Sequence, residues 1–594
     1  MTEAETWDLS VLYDGFDDPR WQADFRLAKE SAQKALAFAK GLTPERLTAE
    51  TAGEALERLD RALRLHSKTT TYAGMLHVAD SARQDALRML EALDGAGADN
   101  AAALSALARL ILKTGMAEKL AAEPSLSVYA AFFRRQAELA PHALPEETEA
   151  AVLRLQQTGG QSLSRLRGVM EASMTAEVEM DGEKKALPVT QVRAMFSSPD
   201  PALRRRFMDA DIEAGRKSAA VFAACLSGIK GEALAIAQMR GYESVLDWML
   251  SISRMKRETL SAMLAAISDA LPAFHRFLKA KAKVLGCGAG LAYCDVLAPV
   301  GCDARRFSLD EARHFLINAF SGVDGMLARF TDDAFERRWI DAMPRAGKQG
   351  GAMCFPLHTE GESRVFLNFD GSISGVLTLA HELGHAWHDR CLFRQPYVNR
   401  DAPTPLCETA STFNETLVYA RVLEGAAGEE RLFYLNAVLS GAVQNVVDIY
   451  SRFLFEDEVL HQRMDGGLDA DALCAIMGKC QLSAYGDCLS PDALHPTMWI
   501  NKVHYYIPDF HYYNFPYAFG LLFARGLYRE YRRRPEGFYP RYERLLEQSG
   551  ALKVEEAGLV MGLDLTKKDF WADSLGDYEE MADEFERLAG DGCR

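Results

Sequence analysis

His381 and His385 stand four residues apart, with Glu382 directly after the first, in the run His381-Glu382-Leu383-Gly384-His385. On a helix this spacing puts both imidazoles on one face, one turn apart, so that both can bind a single Zn²⁺. Glu382 then points toward the same place, where a carboxylate can take a proton from a water activated by the metal. The chemistry supported by the pattern is metal-assisted hydrolysis. Such a zinc needs a third protein ligand and keeps a fourth position for water. Glu408 is the candidate for the third ligand. His388 shares the histidine face, but seven residues place it about 10 Å from His381 along the axis. That is too far to hold the same ion, so His388 is assigned to an outer or substrate-facing position.

The surrounding sequence must position these groups. Residues 374–380 lead into the motif with helical periodicity. On the wheel, Val376, Leu379, Ala380, Leu383 and Trp387 fall on one side, and His381, His385 and His388 on the other. Glu362 to Phe369 reads as a strand, and Asp370-Gly371-Ser372 as a turn with Ser372 or Ser374 as N-cap. Pro403 and Pro405 suit the start of a second helix. On it, Glu408, Ser411, Thr412 and Glu415 share a face, opposite Ala410, Phe413 and Leu417. Glu415 can orient a ligand histidine through its free ring N–H.

Several blocks spread over the chain point further. They are Trp7-Asp8-Leu9-Ser10 to Tyr13, Tyr293 to Pro299 with Asp295, Gly350-Gly351 to Phe369, the histidine motif, and Glu408 to Glu415. His495-Pro496-Thr497-Met498-Trp499 follows, then His504-Tyr505-Tyr506 and Tyr512-Tyr513-Asn514-Phe515-Pro516-Tyr517. In order and spacing the chain resembles the thimet oligopeptidase and oligoendopeptidase F group of zinc metallopeptidases, and the oligoendopeptidase F branch in particular. The resemblance implies a mainly α fold, in which two helical lobes enclose a deep substrate channel and a small β-sheet lies beside the zinc helix. It implies one Zn²⁺ per chain and short peptides as substrates. It also implies that His504 and a tyrosine, Tyr513 as the best match, stabilise the oxyanion of the tetrahedral intermediate. Tyr506 and Tyr517 are carried over as substrate-facing. Phe515 and Pro516 interrupt the tyrosine run, and at least two of Tyr506, Tyr512, Tyr513 and Tyr517 are expected to serve packing alone. Gly350, Gly351 and the following strand are expected to pair with a substrate backbone.

Composition bounds the rest. A chain of 594 residues exceeds one ordinary domain. Its net charge of −17 argues against nucleic acid and anionic membranes as partners. Eleven cysteines without CxxC pairs fit free thiols in a reducing cytoplasm. Residues 1–5 are acidic and lack the apolar core of a secretory signal. No uninterrupted apolar run reaches the length of a membrane span. Amphipathic helices are expected over Phe25 to Lys40, Ala52 to Val78 and Leu87 to Lys113, a hairpin over Glu177 to Leu187 turning at Asp181-Gly182, and strands between about 350 and 370. The break at residues 197–201 divides an N-terminal helical region, 1–198, from a catalytic region, 199–594.

The expected protein is therefore a cytoplasmic zinc oligoendopeptidase. A zinc carboxypeptidase that needs a free C-terminus is the alternative. A non-catalytic peptide-binding protein is a further one, which the presence of Glu382 disfavours.

Overall fold

The computed structural model describes residues 6–180, 182–288, 290–301 and 305–592. It is mostly helical, with 73% helix and 4% strand, so helices must supply nearly every side chain of any site. The chain forms two compact, interleaved units. The first comprises Met1–Ala143, Arg305–Val418 and Leu527–Gly562; the second comprises Leu144–Ala304, Tyr419–Gly526 and Leu563–Arg594. The boundary read at 198/199 falls inside the second unit, in the turn before the helix Pro201–Met239.

In the first unit, Pro19–Gly41, Ala49–Ala79 and Gln84–Thr114 pack side by side. The expected helices are all present. The first two begin earlier because Asp18 and Thr48 cap them through their side chains. A three-stranded sheet has the order β3 (Ile340–Asp341), β5 (Glu362–Phe366), β4 (Met353–Leu357). β3 runs parallel to β5 and β4 antiparallel to it. β5 is central and wholly buried, and β4 is an edge. The block around Trp7 closes onto this sheet. The Trp7 ring meets Phe355 and Phe366 at 5.9 Å, and Arg364 Nε donates to the Asp8 carbonyl at 2.8 Å.

In the second unit, the hairpin β1 (Thr175–Met180) and β2 (Glu183–Pro188) packs on Pro201–Met239. Gly182 turns it at φ +80°, and Asp181 lies outside the described residues. The core gathers Phe207, Phe222, Phe455, Trp499, Tyr505 and Tyr506. Pro201–Met239 and the run Gly428–Arg463 are long and apolar enough to cross a membrane. They carry Arg204, Asp211, Lys230 and Glu456, buried in ion pairs, as core helices of a folded unit do.

Candidate metal centre

The helix Ile373–Leu392 starts where the Ser372 side chain accepts from Gly375 N at 3.1 Å. Its inward face buries Val376, Leu379, Ala380, Leu383, Ala386 and Trp387. His381 and His385 project from another face, and each side chain keeps 26% exposure. The helix Thr409–Gly425 packs against it, and Asn414 Nδ2 donates to the Ala380 carbonyl at 3.1 Å.

Gly384 makes this approach possible. A Cβ there would lie 2.5 Å from Ser411 Cα and 2.6 Å from the Ala410 oxygen, inside any real contact. The motif's glycine therefore serves the pairing of two helices, and that pairing delivers Glu408, which immediately precedes the second helix. Gly384→Ala is expected to push the helices apart, weakening metal affinity by about tenfold or more and costing about 1–3 kcal/mol of stability by overpacking. Chelator competition and thermal melting measure both, and wild-type affinity in this variant would refute the assignment.

The donor atoms converge. His381 Nε2 and His385 Nε2 lie 3.1 Å apart, and Glu408 Oε2 is 3.3 Å from the first and 3.4 Å from the second. Donors about 2.0–2.1 Å from a tetrahedral zinc are separated by about 3.3–3.4 Å. The triangle therefore fits a zinc ion without rearrangement, and two histidines with one carboxylate are a donor set that zinc favours. Among the described residues this is the one such cluster of His, Cys, Asp and Glu.

Neighbours fix the donors. Glu415 Oε1 sits 2.5 Å from His381 Nδ1, which directs Nε2 to the cluster. Ser411 Oγ donates to Glu408 Oε2 at 2.8 Å. Burial opposes charge on His381, but the Glu415 hydrogen bond and the carboxylates of Glu415, Glu408 and Glu382 outweigh it and lift its pKa to about 9. Burial would also raise Glu408, yet the hydrogen bond from His385 and the two imidazoles bring it to about 2. In the metal-free protein at pH 7.5, His381 thus carries a proton that a metal must displace. Zinc binding is expected to release about one proton at that pH, with affinity falling as pH drops below about 9. Calorimetry in buffers of different ionisation enthalpy reads this number directly, and zero release contradicts it. The stability contributed by charged His381 in the metal-free protein is complete below the ordinary histidine pKa and is lost as pH rises through about 9.

Glu382 is 5% exposed, and its carboxylate has no hydrogen-bond partner among the described residues. Burial raises its pKa, opposed by His381 and His385 and aided by Glu408 and Glu415. His388 is turned inward. It is 5% exposed, with Nε2 at 2.8 Å from Ser549 Oγ, so it packs within the unit and does not face a peptide. Gly350 and Gly351 precede the edge strand β4; Gly351 has φ +90°, and its carbonyl accepts from Asn368 Nδ2 at 3.2 Å.

The remaining residues singled out in the sequence belong to the second unit. His504 lies in the turn Val503–Tyr506. Its ring stacks on Tyr513, with centroids 5.2 Å apart, and the Tyr517 hydroxyl lies 3.4 Å from its Nε2. Burial, then Arg452, Lys502 and Arg167, lowers its pKa to about 4, so the imidazole is neutral. Tyr506 is fully buried against Phe222, beneath the Arg167 guanidinium, and is therefore core, not substrate-facing. Tyr512 is buried too, with its hydroxyl on Asp457 Oδ1 at 2.8 Å. Two of the four tyrosines thus serve packing. Tyr512 has φ +52°, a left-handed conformation that is costly for an aromatic residue and marks the turn between His511 and Tyr513 as held by its surroundings.

Sequence reasoning missed Gly384's steric role, Ser411's grip on Glu408 and the cations around His504. A glycine in the middle of a helix, where it costs stability, was a signal for the first. Of the cations, Lys502 is two residues away in the chain, whereas Arg452 and Arg167 come from distant segments and carried no local signal.

The chain is similar to known peptidases in sequence and in fold. The sequence profile of Peptidase family M3 matches residues 320–577, a span that includes both the donor triangle and His504. Oligopeptidase PepF of Bacillus subtilis is 24% identical, over 98% of this chain and 87% of its own length. Group B oligopeptidase PepB of Streptococcus agalactiae is 25% identical, over 79% and 78%. Among solved structures, oligoendopeptidase-F from Enterococcus faecium superposes with a TM-score of 0.70 at 18% identity, covering 96% and 98% of the two chains. A Chlamydophila abortus structure reaches 0.88 at 19% identity, covering 99% of each chain. These last two establish the fold.

Proposed function

Because residues 320–577 form a Peptidase family M3 domain, we propose that this chain is a zinc-dependent oligoendopeptidase that hydrolyses internal bonds of short peptides. We propose further that it acts in the cytoplasm and that residues 199–594 hold all its catalytic groups. The observation that most supports this reading is the donor triangle of His381, His385 and Glu408, whose sides match zinc ligation. These three residues would hold one ion. Bound there, zinc would supply a Lewis acid for the scissile carbonyl and acidify a water molecule.

The chain's own residues carry the rest. Glu382 accepts the proton of the attacking water and passes it to the leaving amine. Its burial suits it to that task, since a carboxylate with a raised pKa is a better base than an exposed one. Glu415 keeps His381 in one orientation and tautomer. The edge of β4, introduced by Gly350 and Gly351, offers backbone groups to an extended peptide. His504 and Tyr513 donate hydrogen bonds to the carbonyl oxygen as it gains charge. Neutral His504 is fit for this, since a neutral imidazole still has one N–H to give.

His504→Ala and Tyr513→Phe are expected to lower kcat with little change in KM, a loss of about 2–4 kcal/mol for an oxyanion-type donor. Tyr517→Phe tests whether the hydroxyl beside His504 shares the role. Tyr506→Phe is the control: its buried hydroxyl has no partner, so removing it should leave kcat unchanged. Lower melting temperature with kcat per folded molecule preserved in all three variants would mean packing alone. The peptidase reading itself is tested with short peptides blocked at both ends. An endopeptidase cuts them, whereas the carboxypeptidase alternative leaves them intact.

A further inference from the structure

A cavity of about 350 Å³ lies wholly within the second unit. Phe196, Leu297 and Met498 form an apolar wall, and Arg452, Asn501 and Lys502 a polar one. The charges around it do not balance. Arg452 pairs with Asp448, which also accepts from the hydroxyls of Tyr293 at 2.9 Å and Tyr485 at 3.2 Å. Arg193 is matched by Asp211 at 3.0 Å and Glu171 at 2.7 Å, and Glu171 also takes Arg167 at 2.6 Å. Four cations thus face three carboxylates. The surplus is Lys502, whose ammonium makes no hydrogen bond or ion pair with any described residue.

Unpartnered polar atoms gather at the same place. Arg452 Nε, His495 Nδ1 and Asn501 Oδ1 are buried without a hydrogen bond, although Arg452 is only 7% exposed and His495 1%. Buried polar groups are nearly always satisfied, so such a group of orphans on residues lining one cavity is unusual, and the Arg452 guanidinium is the donor among them. The wall also includes Gln444 and Asp448 from a π-helical turn, Val443–Asp448. Such turns are rare and recur at functional sites.

We propose that this cavity binds a small organic monoanion, its carboxylate held by Lys502 and Arg452 and its apolar body against Phe196, Leu297 and Met498. A single negative charge completes the balance, and a carboxylate is the natural partner of an ammonium and a guanidinium. Burial, with Arg452 and Arg193 nearby, pushes the Lys502 ammonium down to about 8, a cost that a bound anion relieves. The C-terminal residue of a peptide and a free amino acid derivative share this chemistry; only the peptide source rests on the peptidase reading.

The test is calorimetry on the intact zinc-loaded protein with N-acetyl-L-leucine and N-acetyl-L-leucinamide. The acid is expected to bind, and the amide at least about tenfold more weakly, because it lacks the charge. Lys502→Met should lose the same factor for the acid, and Lys502→Arg should retain binding. Leu297→Asp places a negative charge on a part-exposed stretch of the wall and should also weaken the acid. Equal binding of acid and amide, no binding of either, or undiminished acid binding to Lys502→Met overturns the site. Hydrolysis of one peptide with a free or an amidated C-terminus then identifies the source. A lower KM for the free acid, abolished in Lys502→Met, assigns the site to the peptide terminus. Equal KM values alongside acid binding assign it to the free amino acid. Should the protein cleave no peptide, the calorimetry still decides.

Discussion

Glu382→Gln is expected to keep its zinc and its affinity for peptides while losing turnover on the order of a hundredfold or more, as removal of a general base requires. That loss corresponds to about 3 kcal/mol of transition-state stabilisation. The amide keeps the shape of the side chain but cannot accept a proton. Stability should move the other way. The buried carboxylate has a raised pKa, which means that its charged form is disfavoured in the fold. The neutral amide removes this penalty, so the melting temperature should be unchanged or higher at neutral pH. A variant that is both inactive and unstable would point to a structural role instead. Near-normal kcat would rule out Glu382 as the base.

Glu408→Gln is expected to produce the largest loss of metal. Its carboxylate is ionised throughout the working range, held at about 2 because the hydrogen bond from His385 and the two imidazoles overcome the effect of burial. An amide oxygen carries no such charge. Loss of an outer partner of a zinc ligand costs roughly 10–100-fold in affinity, and loss of the ligand itself should exceed that. Glu415→Gln supplies the internal comparison. It removes the partner of His381 Nδ1 but no donor atom, so it should fall within the 10–100-fold range. Full zinc content in Glu408→Gln, or a larger loss in Glu415→Gln, would reverse the two roles.

The donor triangle was legible in the sequence for a physical reason. Two of its corners lie one helical turn apart, and the third follows a proline-marked helix start. The long N-terminal helices were legible because their apolar positions repeat with the helical period over many turns. β3 was not, since two residues carry no period. The two units were not legible either. The chain leaves the first unit after Val418, inside the helix Thr409–Gly425, and re-enters it at Leu527, inside the helix Phe515–Arg533. A continuous helix shows no break in composition. The tyrosines show the same limit. Tyr506 and Tyr517 look alike in sequence, and only packing separates a buried ring beneath Arg167 from a part-exposed one beside His504. His388 shares a face with the ligand histidines on the wheel, but one further turn brings it against Ser549.

The central claim is that one zinc on His381, His385 and Glu408 makes this chain an endopeptidase. It is tested most directly by titrating zinc into chelator-stripped protein while following cleavage of an end-blocked peptide. The expected result is no cleavage without metal, then a linear rise that saturates at one equivalent per chain, with products from an internal bond. Cleavage by the stripped protein, or none at any zinc level, would contradict it.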